Sequence, residues 1–309
     1  MDDNRVRGEK QSASRRGGRI DLLLAAFAVI IFSLTYTLLK IALIQLPPTT
    51  VGSIRFLLCT LFVLPFVLTK NGARLVKGYS KREWLAFIAI GFVVVFVPQF
   101  LQNIGLVYTS AALAGVIQST IPVFAGVLAF FVLREKTPAI RWLGAAISLA
   151  GVILLSGGGS LSGLLTSSTA FGNLLQVGAS FSSGAGSILV KRTLATKKPD
   201  VVLFMSLSIG GLMLTAAALV LDRNSWPSSV DTTTWMVLLL VSGLYSAALF
   251  CWYRVLQHVS VARLYFTLFL LPVIGVIAPV LVLRETFPLV DVLLTAVIIV
   301  GLAVAELTG

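Results

Sequence analysis

Acidic residues are scarce in this 309-residue chain: 12 Asp and Glu stand against 24 Lys and Arg, with one histidine, His258, and two cysteines, Cys59 and Cys251. That shortage excludes most hydrolytic and metal-assisted chemistry. No His/Cys/Asp/Glu constellation has metal-ligand spacing, no aspartate-rich diphosphate-binding run occurs, and no serine nucleophile has a histidine near it. The chain therefore reads as a non-enzyme that holds no metal and no cofactor. Both cysteines lie inside apolar runs, where a thiol behaves as a small hydrophobe, and their spacing matches no redox motif. Charge as a whole is low, at 12% of residues where soluble domains carry about 25%. With 57% hydrophobic residues and a mean hydropathy of +0.98, a water-soluble fold is excluded. The net charge of +12 would suit nucleic acid, but the basic residues form short clusters between apolar runs rather than one stripe, so no nucleic-acid partner is expected. The expected partner is the lipid bilayer.

Long apolar runs are what the sequence does have. A helix needs about 20 apolar residues to cross the hydrocarbon core, and runs this continuous read as helices rather than barrel strands. The expectation is an all-α integral membrane protein with ten crossings: Ile20–Ile44, Thr50–Thr69, Trp84–Tyr108, Thr109–Leu133, Ile140–Ser156, Phe171–Lys191, Val201–Leu221, Thr234–Leu256, Val261–Leu283 and Leu289–Glu306. Two boundaries are set by length alone, at the polar breaks Tyr108–Ser110 and Gln257–Ser260. The leader, residues 1–19, is polar and basic and reads as a retained cytoplasmic tail without fixed structure.

The two breaks belong to an internal repeat. Pro122 and Pro272 are 272 − 122 = 150 apart, and the same shift pairs Ser110 with Ser260, Ala112 with Ala262, Arg134 with Arg284, Glu135 with Glu285 and Gly151 with Gly301. The organisation expected is a first five-helix unit at 20–156, a Gly/Ser linker at 157–170 and a second unit at 171–306. An odd number of crossings per unit forces the second to enter from the opposite side, so the repeat must be inverted. Basic residues accumulate in cytoplasmic loops. With both termini inside, that side receives Lys70, Arg82, Arg134, Arg141, Lys191, Arg192, Lys197 and Arg254, among others, while the outer side keeps Arg223, Arg284 and the helix residues Lys40 and Arg55.

These residues resemble the EamA family of the drug/metabolite transporter superfamily over nearly the whole chain. One copy of the pattern is IGLVYTSAALAGVIQSTIPVFAGVLAFFVLREKTPAIRWLGAAISLAGVILL from Ile104 to Leu155; the second, Leu256–Ala305, keeps Pro272, Glu285 and Gly301 but carries Leu294 where the first has Gly144. Arg55 before Phe56 also looks like the family pattern. The resemblance implies ten helices in two inverted repeats and a transporter in the plasma (inner) membrane of a bacterium, as a monomer or homodimer. The family includes exporters of amino acids and other metabolites. Its motifs are architectural and specify fold better than cargo. The expected function is alternating-access movement, by efflux, of a small-molecule solute such as an amino acid or a related carboxylate. The rivals are a membrane enzyme, which lacks a catalytic cluster, and a channel, which lacks a charged ring or filter loop.

In inverted-repeat transporters the solute site lies near mid-membrane between the repeats. The first helix carries Ser33, Tyr36, Thr37 and Lys40 at helical spacing, and the sixth carries Ser180, Ser183 and Ser187 beside Asn173 and Gln176. The 150 shift pairs Ser33 with Ser183 and Thr37 with Ser187, so the two stripes should face one another; interhelical hydrogen bonding is the alternative. Gln99, Gln102, Asn103 and Gln118 should face protein or water rather than lipid. Their repeat counterparts Trp252, Tyr253 and Leu268 would make an aromatic, apolar wall opposite a polar one. Pro122 and Pro272 are candidate hinges, with static curvature as the alternative. Lys40 and Arg55 are cations within spans and without an evident carboxylate partner; they would favour an anionic group, unless they snorkel to the headgroups. No acidic residue falls at mid-span, which disfavours an ion relay built on buried carboxylates.

Overall fold

The computed structural model describes residues 3–71, 78–133, 138–259 and 270–306. Glu135, Ser260, Ala262 and Leu268, with the loop cation Arg134, lie outside the described residues. The described chain is a helical assembly. It begins with α1 (Asp3–Ala42), α2 (Pro48–Asn71) and α3 (Lys81–Ile90), which passes through a π-helical turn, Gly91–Phe96, into α4 (Val97–Tyr108). It continues with α5 (Ala111–Gln118), α6 (Ile121–Leu133), α7 (Ala139–Ser156), the short α8 (Gly163–Thr166) and α9 (Ala170–Leu194). It ends with α10 (Pro199–Leu221), α11 (Thr232–His258), α12 (Leu270–Leu283) and α13 (Leu289–Glu306). The leader is helical from Asp3 rather than unstructured. No proline interrupts it, and its Arg, Lys, Glu and Gln residues are good helix formers.

Among the described residues seven helices are long and apolar enough to cross a membrane: Ile20–Ala42, Pro48–Leu68, Lys81–Tyr108, Ala111–Val132, Ala139–Ser156, Pro199–Leu221 and Thr232–Gln257. Leu270–Leu283 and Leu289–Ala305 are shorter apolar helices. The sixth expected crossing, α9, is not among the seven. Its length of 25 residues suffices, but one face carries the buried Asn173, Gln176, Ser180 and Ser187.

Helix ends obey local chemistry. Ser80 caps α3 in a reciprocal capping box with Glu83. Ser110 caps α5 by accepting from the Leu113 N–H at 3.0 Å. The expected break at Tyr108–Ser110 is therefore a real corner, with Thr109 in extended conformation. A second interruption falls inside the expected fourth crossing: α5 stops at Gln118 and α6 restarts at Ile121, just before Pro122. Ser119 and Thr120 donate their hydroxyls back to the carbonyls of Val116 and Ile117, both at 2.6 Å, and these carbonyls also accept the Ser119 and Thr120 N–H groups. The linker turns through Gly158 (φ 63°) and Gly159 (φ 95°), left-handed positions that a side chain would strain.

The packing reads alike from either half. Helix α2 packs on α10, α5 on α12, and α7 on α13; α1 lies against α11 and α12 as α9 lies against α4 and the α5–α6 pair. In the α7–α13 contact Ser148 Oγ donates to the Ile298 carbonyl at 3.1 Å, between residues 150 apart in number. Loop ties also come in pairs. Gln45 and Asp231 exchange two hydrogen bonds between the α1–α2 corner and the start of α11. Lys197, between α9 and α10, forms an ion pair with Glu83 at the start of α3.

Candidate functional site

Small residues bring the helix backbones together, and where large ones take over the helices part. The resulting cavity counts about 950 Å³ with the open solvent at its mouth included. Its polar side is built by Gln99 and Gln102 of α4, Gln118 at the end of α5, Ser183 and Ser187 of α9, and Ser206 of α10. Its aromatic side is built by Phe32 and Tyr36 of α1, Phe56 of α2, and Tyr245, Trp252 and Tyr253 of α11. The rings fix one another: Phe32 lies 5.3 Å from Tyr245 and 5.7 Å from Trp252, and Phe56 lies 5.9 Å from Tyr245. Such tilted and edge-on pairs are favourable beyond their buried area. Thr35 also reaches the cavity, with its hydroxyl turned back to the Ile31 carbonyl at 2.8 Å.

Arg55 stands behind this wall rather than in it. It is 0% exposed. Its Nη1 donates to Gln99 Oε1 at 3.0 Å, and its guanidinium carbon lies 4.0 Å from the Tyr245 ring centre and 5.1 Å from that of Phe56. Among the described residues Nε and Nη2 have no hydrogen-bond partner. A buried cation usually needs a paired anion and filled hydrogen bonds. Here two rings and one neutral amide take that place, with cation–π attraction of roughly 2 kcal/mol when desolvated.

Of the residues proposed from sequence, Tyr36, Gln99, Gln102, Gln118, Ser183, Ser187, Trp252 and Tyr253 are brought together on the cavity surface. Ser33, Thr37, Lys40, Asn103 and Ser180 are not. Ser33 donates to the Val29 carbonyl at 2.8 Å, a bond available to any helical serine. Ser180 donates to the carbonyls of Ile117 (3.2 Å) and Gln176 (3.0 Å) and so helps to satisfy the interruption between α5 and α6. Its neighbours on α9 do similar work. Gln176 donates to the Gln102 carbonyl at 2.9 Å and receives Gln118 Nε2, while Asn173 takes the Thr109 hydroxyl at 2.5 Å and donates to the Ser156 carbonyl at 3.2 Å. The upper part of the α9 stripe is thus interhelical bonding, and only its lower part faces the cavity.

Lys40 neither snorkels nor lines the cavity. Its ammonium caps the carbonyl end of α4 at Leu106 and Thr109. Thr37 Oγ1 and both amide atoms of Asn103 are buried without a partner. Asn103 sits against Gly52, one turn from Arg55 on α2. Pro122 marks the interruption between α5 and α6, while Pro272 lies near the start of the described part of α12. Sequence reading missed Phe32, Phe56, Ser206 and Tyr245. A signal for the last was present, since Tyr245, Leu249, Trp252, Tyr253 and Leu256 follow one another at helical spacing on a single face.

With this geometry in view, comparison with known proteins is informative. The model of the EamA-like transporter family matches residues 19–157 and again residues 170–306. Among similar proteins, the uncharacterized transporter YetK of Bacillus subtilis is 26% identical over 271 residues, which is 86% of this chain and 80% of that protein. The uncharacterized inner membrane transporter YedA of Escherichia coli K12 is 30% identical over 205 residues, 64% of this chain and 59% of that protein. A crystal structure with 18% sequence identity superposes with a TM-score of 0.68 over 94% of this chain and 99% of that one, and so shares the fold.

Proposed function

The chain belongs to the EamA-like transporter family, and from that premise we propose that it is a secondary transporter that exports a small carboxylate-bearing metabolite, such as an amino acid, by alternating access. Its frame in this reading is ten crossings in two inverted five-helix repeats, 20–156 and 171–306, with both termini cytoplasmic in a bacterial inner membrane. The duplicated family match and the mirrored helix pairings support it. So does the excess of lysine and arginine in the loops assigned to the inner side.

The observation that carries the solute class is Arg55. A fully buried guanidinium that, among the described residues, has two nitrogens without a partner and no carboxylate beside it lies one side chain behind the cavity, and an isolated charge at such depth is costly. A solute carboxylate supplies the missing anion and can accept two parallel hydrogen bonds from the planar fork. Tyr245 is the ring to be displaced. The five other aromatic side chains of the cavity suit the carbon skeleton of the solute, and the amides of Gln99, Gln102 and Gln118 suit its polar substituents.

In the described segments the apolar spans carry acidic residues only at or beyond their ends, as at Asp21, Asp200, Asp222, Asp231, Glu285 and Asp291. The reading therefore takes solute exchange or facilitated diffusion, rather than tight proton coupling, as the mode of transport. The test is counterflow in liposomes holding only the purified protein. Labelled solute should enter against a preload of the same solute, with a rate that saturates and survives collapse of the proton gradient. A flux rising linearly with concentration would identify a pore and end the carrier reading.

A further inference from the structure

Two lysines hold two helix ends in matching ways. Lys40, in the last turn of α1, donates to the carbonyls of Leu106 and Thr109, the latter at 2.6 Å, at the end of α4. Lys191, near the end of α9, donates to the carbonyls of Leu256 at 2.5 Å and Val259 at 2.9 Å, at the end of α11, with a longer bond to Gln257 at 3.4 Å. The acceptors correspond under the repeat, since 256 − 106 = 150 and 259 − 109 = 150, and the lysines nearly so, since 191 − 40 = 151. The last carbonyls of a helix lack partners and carry the negative end of its dipole, so an ammonium there answers both needs. The two clamps lie at opposite ends of α9. Its first turn abuts Thr109, which Lys40 holds, through Asn173 and Gly172, and Lys191 stands near its other end.

The Lys40 clamp has a second charge. Both Glu285 oxygens accept backbone N–H groups at the start of α5, Ala111 at 2.9 Å and Ala112 at 3.0 Å. Arg284, with φ 54°, turns the chain left-handed after α12 and lets Glu285 reach them. The corner between α4 and α5 is thus held by a cation from α1 on one side and a carboxylate from beyond α12 on the other. In both cases the holder comes from the opposite side of the cavity to the helices it holds or from the other half of the chain.

The cavity is lopsided between these clamps. It extends to Val190 and Leu256, a neighbour of Lys191 and one of its acceptors. Towards Lys40 it ends at Tyr36, Gln99 and Gln102. Ser187, one turn from Lys191, lines it, whereas the corresponding Thr37 (187 − 37 = 150), one turn from Lys40, is sealed in with its hydroxyl unpartnered. Asn103, one turn beyond Gln99 on the same side, has both amide atoms unpartnered.

We propose that Lys40 with Glu285, and Lys191, are latches at the two ends of the solute path, and that release of the Lys40 clamp opens the sealed end and closes the cavity at Ser187. The polar atoms of Thr37 and Asn103 that lack partners are then the surface wetted when that end opens. The proposal rests on the alternating-access reading for the use of the motion, but the motion can be measured without any solute.

Single cysteines, Thr37→Cys or Ser187→Cys, are placed in a Cys59→Ala, Cys251→Ala chain in liposomes, and labelling is followed with a membrane-impermeant maleimide added to either face. Lys40→Met should raise the labelling rate at position 37 from the Lys40 face by about tenfold, the factor expected for about 1.4 kcal/mol of population shift, and lower it at position 187. Lys191→Met should do the reverse. Glu285→Gln should act in the direction of Lys40→Met, and Lys40→Arg, which keeps a cation at the helix end, should label like its parent. Each sample is first scored for a monodisperse detergent peak. Unchanged labelling in the folded Lys40→Met and Glu285→Gln proteins, or equal increases at both positions, overturns the latches. Reciprocal labelling without any solute counterflow by the wild-type protein upholds the latches and removes the carrier reading instead.

Discussion

Replacing Arg55 with methionine should abolish recognition of the solute carboxylate while leaving the protein at least as stable as before. The two effects have one cause. The guanidinium is buried, held by Gln99 and by the rings of Phe56 and Tyr245, and among the described residues Nε and Nη2 have no partner. Removing a charge that lacks a buried counter-ion takes away a desolvation penalty of several kcal/mol and forfeits roughly 2 kcal/mol of cation–π attraction, so folding should not suffer. Binding is another matter. A carboxylate that has left water to meet this site without its cation loses about 3 to 5 kcal/mol, which is about a hundredfold or more in affinity. Counterflow competition should show the loss for a carboxylate and only a small change for its uncharged amide. Arg55→Lys, with charge but without a planar fork, should fall between. Equal losses for acid and amide, or a protein that melts earlier than wild type, would make Arg55 a structural residue and remove the basis for a carboxylate cargo.

The legible parts of the sequence were those governed by hydrophobic length and by the repeat. Run lengths gave the corner at Tyr108–Ser110, because a stretch from Trp84 to Leu133 exceeds one crossing and Tyr108, Thr109 and Ser110 form a polar break at its middle, where Ser110 caps the next helix. The shift of 150 pairs Ser33 with Ser183, Thr37 with Ser187, Gln102 with Trp252, Asn103 with Tyr253 and Gln118 with Leu268. Ser183, Ser187, Gln102, Gln118, Trp252 and Tyr253 reach the cavity, Ser33, Thr37 and Asn103 do not, and Leu268 lies outside the described residues. What the sequence hid is direction about a helix axis at close range. Thr35 and Tyr36 face the cavity while Ser33 and Thr37 do not, a difference set by how α1 rolls against α11 and α12. Lys40 read as a cation without a partner because its partners are backbone carbonyls, which no side-chain pattern displays. Tyr245 shares a helical face with Trp252 and Tyr253 but was passed over because aromatic residues are ordinary in apolar helices; its position over Arg55 is what the fold adds.

The second large effect concerns packing. Gly144→Ala and Gly301→Ala should each cost well over the gain in helix propensity of about 1 kcal/mol that alanine brings, because the α7–α13 contact leaves no room for a methyl group. A Cβ on Gly144 would stand 2.6 Å from the Gly301 carbonyl oxygen and 2.8 Å from Ala305 Cα; one on Gly301 would stand 2.5 Å from Ser148 N and 2.8 Å from the Gly144 oxygen. These neighbours are mainly backbone, which cannot rotate aside as a side-chain tip can. The helices must separate, and separation stretches the Ser148–Ile298 hydrogen bond of 3.1 Å as well as the dispersion contacts of the whole seam. Overpacking of this kind costs about 1 to 3 kcal/mol, and the fixed neighbours put it at the upper end. Gly126 is the control: nothing lies within 4 Å of its added Cβ, so Gly126→Ala should be neutral or stabilising by up to about 1 kcal/mol. Thermal unfolding in one detergent, followed by tryptophan fluorescence, compares the three. The double variant Gly144→Ala, Gly301→Ala should lose less than the sum of the single losses, because helices already parted by the first methyl group admit the second at lower cost. Strict additivity, or a Gly144→Ala protein that melts with Gly126→Ala, would mean that the seam between α7 and α13 is looser than these distances require.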